Sequence, residues 1–162
     1  MDLNKAPRQL KVLCPGDSVV DFKHSIFLAG PTPRSQDVES WRPQALKELR
    51  MTCFKGTVLV PERSDWITNF NYMEQIEWEL KGLSLCTVIA FWIPRNMVNM
   101  QGLTTNIEFG RYVDSGRAIY GRPEDAEHIA YLDYIYGKVT GKRPYPFLSL
   151  LMDAVAKEAF NG

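Results

Sequence analysis

The chain has 162 residues, 45% hydrophobic and 23% charged. A chain of this size buries a core as one domain, and the composition excludes a disordered or low-complexity protein. Lys+Arg and Asp+Glu stand at 19 each, so no overall field draws a nucleic-acid polymer or an anionic membrane, although a local basic pocket remains open. Three scattered cysteines with no CxxC pair and only two histidines leave little material for a disulfide framework or a zinc site, and they fit a reducing cytoplasm.

The opening MDLNKAPRQLKVLCPG has charges but no apolar run of signal-peptide length, and residues 1–24 read as an N-terminal extension or hairpin covering one edge of a sheet. Ser25–Gly30 (SIFLAG) is a short apolar run closed by Gly-Pro, the pattern of a central strand entering a loop. Glu39–Met51 places Trp41, Ala45, Leu46 and Leu49 at helical spacing, and Thr57–Val60 (TVLV) is a β-branched strand stopped by Pro61. Tyr72–Leu83 is amphipathic, and Met73, Ile76, Leu80 and Leu83 form the stripe expected to face inward.

Thr87–Ile93 (TVIAFWI) is the strongest strand signal and too short to span a bilayer. Thr105–Ser115 reads as a helix, Arg117–Tyr120 as a strand and Glu124–Ile135 as a further helix. Residues 137–162 form a helical tail, and its apolar period is expected to pack on the domain or on a neighbouring subunit. Strands alternating with helices imply right-handed βαβ units and a parallel sheet covered on both faces. The fold expected is a single α/β domain: a flavodoxin-like doubly wound parallel sheet of about five strands flanked by helices. Ligands bind such sheets outside the strands' carboxyl ends, which selects the loops Gly30–Ser40, Pro61–Asn71 and Pro94–Thr105.

No GxGxxG, P-loop or Gly-x-Ser-x-Gly motif occurs, so no cofactor and no metal is expected, and carboxylates near the loops carry the chemistry. Glu108, at the start of the helix after the buried strand, is placed to stay ionised and to attack an anomeric carbon. Thr105-Asn-Ile-Glu108 also matches a capping box, in which the Glu only caps its helix, and pattern alone favours the cap. Glu79, near the end of the helix leading into the central strand, suits a ribose hydroxyl or proton transfer to a leaving base; the usual fate of such a Glu is solvent exposure. The aromatics Trp66, Phe70, Tyr72 and Trp92 suit stacking on a base, Trp66 best, with Trp92 equally a core residue. Arg34 suits a phosphate.

The segments IFLAGP (Ile26–Pro31), YMEQIEWELKGL (Tyr72–Leu83), VIAFWIP (Val88–Pro94) and GLTTNIEFGRYVDSG (Gly102–Gly116), in this order, resemble the nucleoside 2-deoxyribosyltransferase-like superfamily, which includes nucleotide N-hydrolases. The resemblance runs from about Ser25 to Ile135, and its most specific part is Glu-Phe-Gly. It implies a glycosyl-enzyme intermediate on Glu108, with Glu79 as the second catalytic residue in an acid-Leu-x-Gly pattern. Leu28, Gly30, Pro31, Arg34, Trp66 and Trp92 are expected to contact the substrate.

The chain departs from the pattern at three points. Glu79 replaces an Asp, Leu85-Cys86 replaces Ala-Asp, and Gly102–Asn106 lacks an acidic residue before the nucleophile. Sugar recognition is then expected to run through Thr104, Thr105 or Asn106. The partner that the resemblance implies is a small-molecule nucleoside or nucleotide. The aromatic C-terminal segment, with Tyr131, Tyr134, Tyr136, Tyr145 and Phe147, points to a homo-oligomer, at least a dimer. Three functions compete: glycosyl transfer between bases, hydrolysis, and a non-catalytic module that binds a nucleotide-like signal.

Overall fold

A computed structural model of the chain describes residues 10–20, 23–63 and 71–162. Among these residues five strands, β1 (Lys11–Leu13), β2 (Ser25–Ala29), β3 (Thr57–Leu59), β4 (Val88–Trp92) and β5 (Ala118–Gly121), form one sheet in the order β1-β3-β2-β4-β5, and every pairing is parallel. Among the described residues, five helices flank it: α1 (Arg42–Met51), α2 (Tyr72–Leu85), α3 (Leu103–Tyr112), α4 (Ala130–Thr140) and α5 (Leu148–Asn161). This is a doubly wound, flavodoxin-like α/β sheet. The segment before Ser25 contributes β1, an edge strand in register with β3 through Val12 and Val58.

All five residues of β2 and of β4 are buried, because helices cover both faces. Side chains alternate between two cores. Ile26, Leu28, Val88, Ala90 and Trp92 pack with Ala45 and Leu49 of α1 and Leu151, Met152 and Val155 of α5. Phe27, Ala29, Ile89 and Phe91 pack on the other side with Trp78, Leu83, Phe109 and Tyr136. The helical tail therefore lies on the sheet beside α1, and Leu151, Met152, Val155 and Ala159 are wholly buried.

Two expected elements differ. The helix read over Glu124–Ile135 begins at Ala130. Its first residues are held instead by long-range bonds to the loop after β4: Glu127 N–H donates to Arg95 O (3.0 Å), Met97 N–H to Glu127 Oε2 (2.7 Å), and Arg95 Nη1 to His128 O (2.8 Å). Those bonds outcompete local helix propensity. The stripe on α2 also differs. Trp78, Gly82 and Leu83 face the core, whereas Met73 is 62% exposed and Leu80 36%. The apolar repeat marks the side of the helix that borders the cleft described below.

Gly82 lets α2 lie close to the sheet: a Cβ there would stand 2.8 Å from Leu59 Cδ2 and 3.0 Å from Phe27 Cε2. Gly30, directly after β2, has φ +153° and leaves no space for a Cβ, which would run into the main-chain oxygen of Trp92. Because that obstacle is backbone of the central strand, Gly30→Ala is expected to destabilise the protein by about 3 kcal/mol, through both strain and overpacking. A lowered urea midpoint measures it.

Candidate active site

In this strand order the connections run one way from β2 to β3 and the other way from β4 to β5, so the switch point lies between β2 and β4. The carboxyl ends of those strands open into a cleft of about 660 Å³. Gly30, Thr32 and Arg34 line it from the loop after β2, and Pro61 from the loop after β3. Tyr72, Gln75, Ile76, Glu79 and Leu80 line it from α2, and Gly102–Thr105, Ile107, Glu108 and Arg111 from the start and inner side of α3.

Two consecutive residues at the start of α1 hold the turn after β2, and the second of them, Arg42, also lines the cleft. Trp41 Nε1 donates to Pro31 O (3.0 Å). Arg42, 2% exposed, donates through Nε to Leu28 O (3.2 Å), through Nη2 to Gly30 O (2.8 Å), and through Nη1 to Thr32 Oγ1 (3.0 Å) and Glu62 Oε2 (2.9 Å). Ser40 Oγ adds a bond to the same Glu62 oxygen at 2.6 Å. Burial lowers the Arg42 pKa, opposed by Glu62, Glu108 and Glu79, and a guanidinium has so high a starting value that it stays charged.

Glu79 and Glu108 face the same cleft from α2 and α3. Glu108 sits in the second turn of α3, beyond the first-turn groups where the helix dipole acts most strongly. Burial and then repulsion by Glu79 push its carboxyl up to about 7, with Arg42 pulling it down. The expected fully ionised state at neutral pH is therefore corrected: desolvation outweighs the helix terminus. Glu79 is also raised by burial, against a 2.7 Å bond from Gln75 Nε2 and the charge of Arg42. Two carboxyls in one site titrate as a pair and retain a proton between them into the neutral range.

The capping-box reading of Thr105–Glu108 does not hold. The N-cap of α3 is Gly102 in a left-handed conformation with φ 65°, without a side-chain cap, and Thr105 is a buried helical residue. This frees Glu108 from a capping role.

Among the substrate-binding expectations, the cleft gathers Gly30, Arg34, Thr104 and Thr105. Four others do not line it. The side chain of Leu28 is wholly buried in the α1–α5 core, and only its carbonyl is engaged, by Arg42. Pro31 is buried with its carbonyl bound to Trp41. Trp92 is a core residue at 6% exposure, since its alternation along β4 sends it to the α1–α5 side. Asn106 accepts a bond from Arg95 Nη2 instead. Trp66 and Phe70 lie outside the described residues. Tyr72, 64% exposed at the rim, is the described aromatic that borders the cleft.

Arg42, Glu62, Gln75 and Arg111 join the site without a sequence motif of their own. The Trp-Arg-Pro at the start of α1 carries a signal for Arg42 alone: a charged residue between an apolar one and a helix-initiating proline. Among the described residues, no group of three or more His, Cys, Asp or Glu is placed to hold a metal ion, and no helix is long and apolar enough to cross a membrane.

A family model described as nucleoside 2-deoxyribosyltransferase like matches residues 23–126, more than half of the chain. The chain belongs to this family. The match takes in β2 to β5 and the cleft, and it ends before α4 and α5. No curated protein matches the sequence. A crystal structure described as a conserved protein from Enterococcus faecalis is similar at 12% identity, covering 83% of this chain and 86% of that one, with a TM-score of 0.45.

The carboxyl pair also affects stability. A Glu108 carboxyl raised to about 7 from 4.5 binds its proton more tightly in the folded state. Its contribution is therefore full below the unfolded value and is lost as pH rises through about 7. Glu108→Gln is expected to stabilise the fold at pH 8 by on the order of 2 kcal/mol, with the difference shrinking towards pH 5. Urea denaturation at the two pH values measures it.

Proposed function

We propose that this protein cleaves the N-glycosidic bond of a nucleoside or nucleotide through a covalent glycosyl ester on Glu108 and transfers the (deoxy)ribosyl group to another base. The observation carrying this reading is the pair Glu79 and Glu108, brought from two helices into one cleft at the switch point with a buried cation nearby. A site for a nucleotide-like signal would not need that pair.

In the first step a Glu108 oxygen forms a bond to the anomeric carbon as the bond to the base nitrogen breaks. The electron pair leaves with the base, and protonated Glu79 supplies its proton. In the second step a nitrogen of the incoming base attacks the same carbon from the opposite face and gives its proton to Glu79. The ester bond breaks and Glu108 leaves as carboxylate. Two inversions give net retention. Hydrolysis differs only in that water replaces the incoming base. Arg34 and Arg111 line the same cleft, and their guanidiniums suit a 5′-phosphate, which favours including nucleotides among substrates.

Chromatography of free base from a panel of nucleosides and nucleoside 5′-monophosphates, with and without a second base, tests the reading. Retained configuration is expected in every product, and sugar mass is expected on the Glu108 peptide in quenched turnover. An inverted product, or an unmodified Glu108, would remove the covalent mechanism. Glu108→Gln is expected to lower turnover by several orders of magnitude in a folded protein, because losing a nucleophile removes the reaction path itself. Near-normal activity of that variant would defeat the proposal.

The pH profile follows from the pair. The active form holds one proton between the two carboxyls, so kcat/KM is expected to rise as the first ionises above 4.5 and to fall as the second ionises near 7. Glu79→Gln is expected to lower the rate and abolish the alkaline limb.

The exposed Tyr131, Tyr134 and Phe147 on α4 and at the start of α5 support assembly into at least a dimer. Light scattering that gave the 18.6 kDa monomer at micromolar concentration would overturn it.

A further inference from the structure

The buried guanidinium of Arg42 lies outside the bond-making steps just described. Four of its five N–H donors are used, on two main-chain carbonyls, one hydroxyl and one carboxylate. Three of these acceptors, Leu28 O, Gly30 O and Thr32 Oγ1, belong to the end of β2 and the turn that leaves it and enters the cleft wall. Trp41 holds Pro31 O between them. Gly30 in this turn is pressed on the backbone of Trp92, so the turn cannot shift towards β4. A planar fork with fixed donor directions suits this task, and an ammonium does not reproduce it. The remaining partner, Glu62, comes from the loop after β3, so Arg42 ties two loops together beneath the substrate space.

Resting on the glycosidase reading, we infer that Arg42 is the positioning residue of this site: its guanidinium fixes the Leu28–Thr32 turn against which the sugar sits and supplies the buried positive charge that opposes the two carboxylates. The charged groups around Glu108 are Arg42 of α1, Glu79 of α2, Arg111 of α3 itself, Arg34 of the loop after β2 and, behind Arg42, Glu62 of the loop after β3. Arg34 and Arg111 are exposed and screened by water, whereas Arg42 acts from the interior. Its charge reaches both Glu79 and Glu108. Glu62 limits that effect, since it neutralises part of the same cation at 2.9 Å.

Two properties are thereby separated, geometry and charge, and each has its own variant. Arg42→Lys keeps the charge and loses the fork. It is expected to lower kcat/KM by roughly tenfold to a hundredfold and to leave the titration midpoint of Glu108 near that of wild type. Arg42→Gln removes the charge. It is expected to raise that midpoint by roughly one pH unit or more. Glu62→Gln removes the neutralising partner and is expected to move the midpoint the other way, downward.

The midpoint is read by NMR of protein carrying 13C at the glutamate carboxyls, with Glu108→Gln assigning the resonance, so it requires no substrate. Circular dichroism identifies any Arg42 variant that fails to fold, and Glu62→Gln then decides the charge by the sign of its shift. A Glu108 midpoint that stays put in both Arg42→Gln and Glu62→Gln would overturn the electrostatic role. Wild-type kcat/KM in Arg42→Lys would overturn the positioning role. If no glycoside is cleaved by the wild type, the glycosidase reading fails, while the titration still decides what Arg42 does to the carboxyls.

Discussion

Burying a guanidinium is among the more unfavourable things a fold can do, and it is tolerated only where the donors and the charge both find partners. Arg42 meets that condition beneath the carboxyl end of β2, where the strand end and its turn present main-chain oxygens and the loop after β3 delivers Glu62. The requirement then propagates. The turn takes the path the fork dictates, Trp41 seals it, and Gly30 must lack a side chain because the path runs against Trp92. The wall of the cleft is thus a consequence of satisfying one buried cation.

The carboxyl pair reflects a balance of three effects on one site. Desolvation opposes ionisation of both residues, mutual repulsion opposes ionising the second, and Arg42 favours ionising either. Burial is the largest of these at Glu108, and the proton is kept up to about pH 7. A pair holding one proton near neutrality has the protonation inventory that a nucleophile and a proton donor need together. The helix terminus contributes less than the sequence suggests, since Glu108 lies a turn deeper than a cap.

Packing of α2 links the sheet to the chemistry. Gly82 brings this helix close to Leu59 and Phe27, and Glu79, one turn earlier, is thereby held at the sheet's carboxyl edge. The apolar residues one would assign to the core, Met73, Ile76 and Leu80, are left on the side bordering the cleft or exposed beyond it. A base needs such an apolar wall, and a helix that borders both a core and a ligand space carries apolar residues on more than one side.

By itself the sequence determined the sheet and its polarity. The runs SIFLA and VIAFW are too apolar and too short to be anything but central strands, and their spacing with the helices admits little besides parallel crossovers. It also marked Glu108 and Glu79, because a resemblance carried by ordered segments reads through loops of unknown shape. Only the tertiary structure decided which neighbours those carboxyls meet. Thr105-Asn-Ile-Glu satisfies a local pattern, but the helix starts earlier, at a left-handed Gly102. Residues 124–129 look helical, but bonds from the loop after β4 hold them otherwise. Trp92 and Asn106 stand at the right points in the chain, yet strand alternation turns the first into the core and Arg95 takes the second. Arg42 was hidden for the same reason: its partners lie ten to twenty residues away, and a buried charge reveals its purpose only when distant groups converge on it.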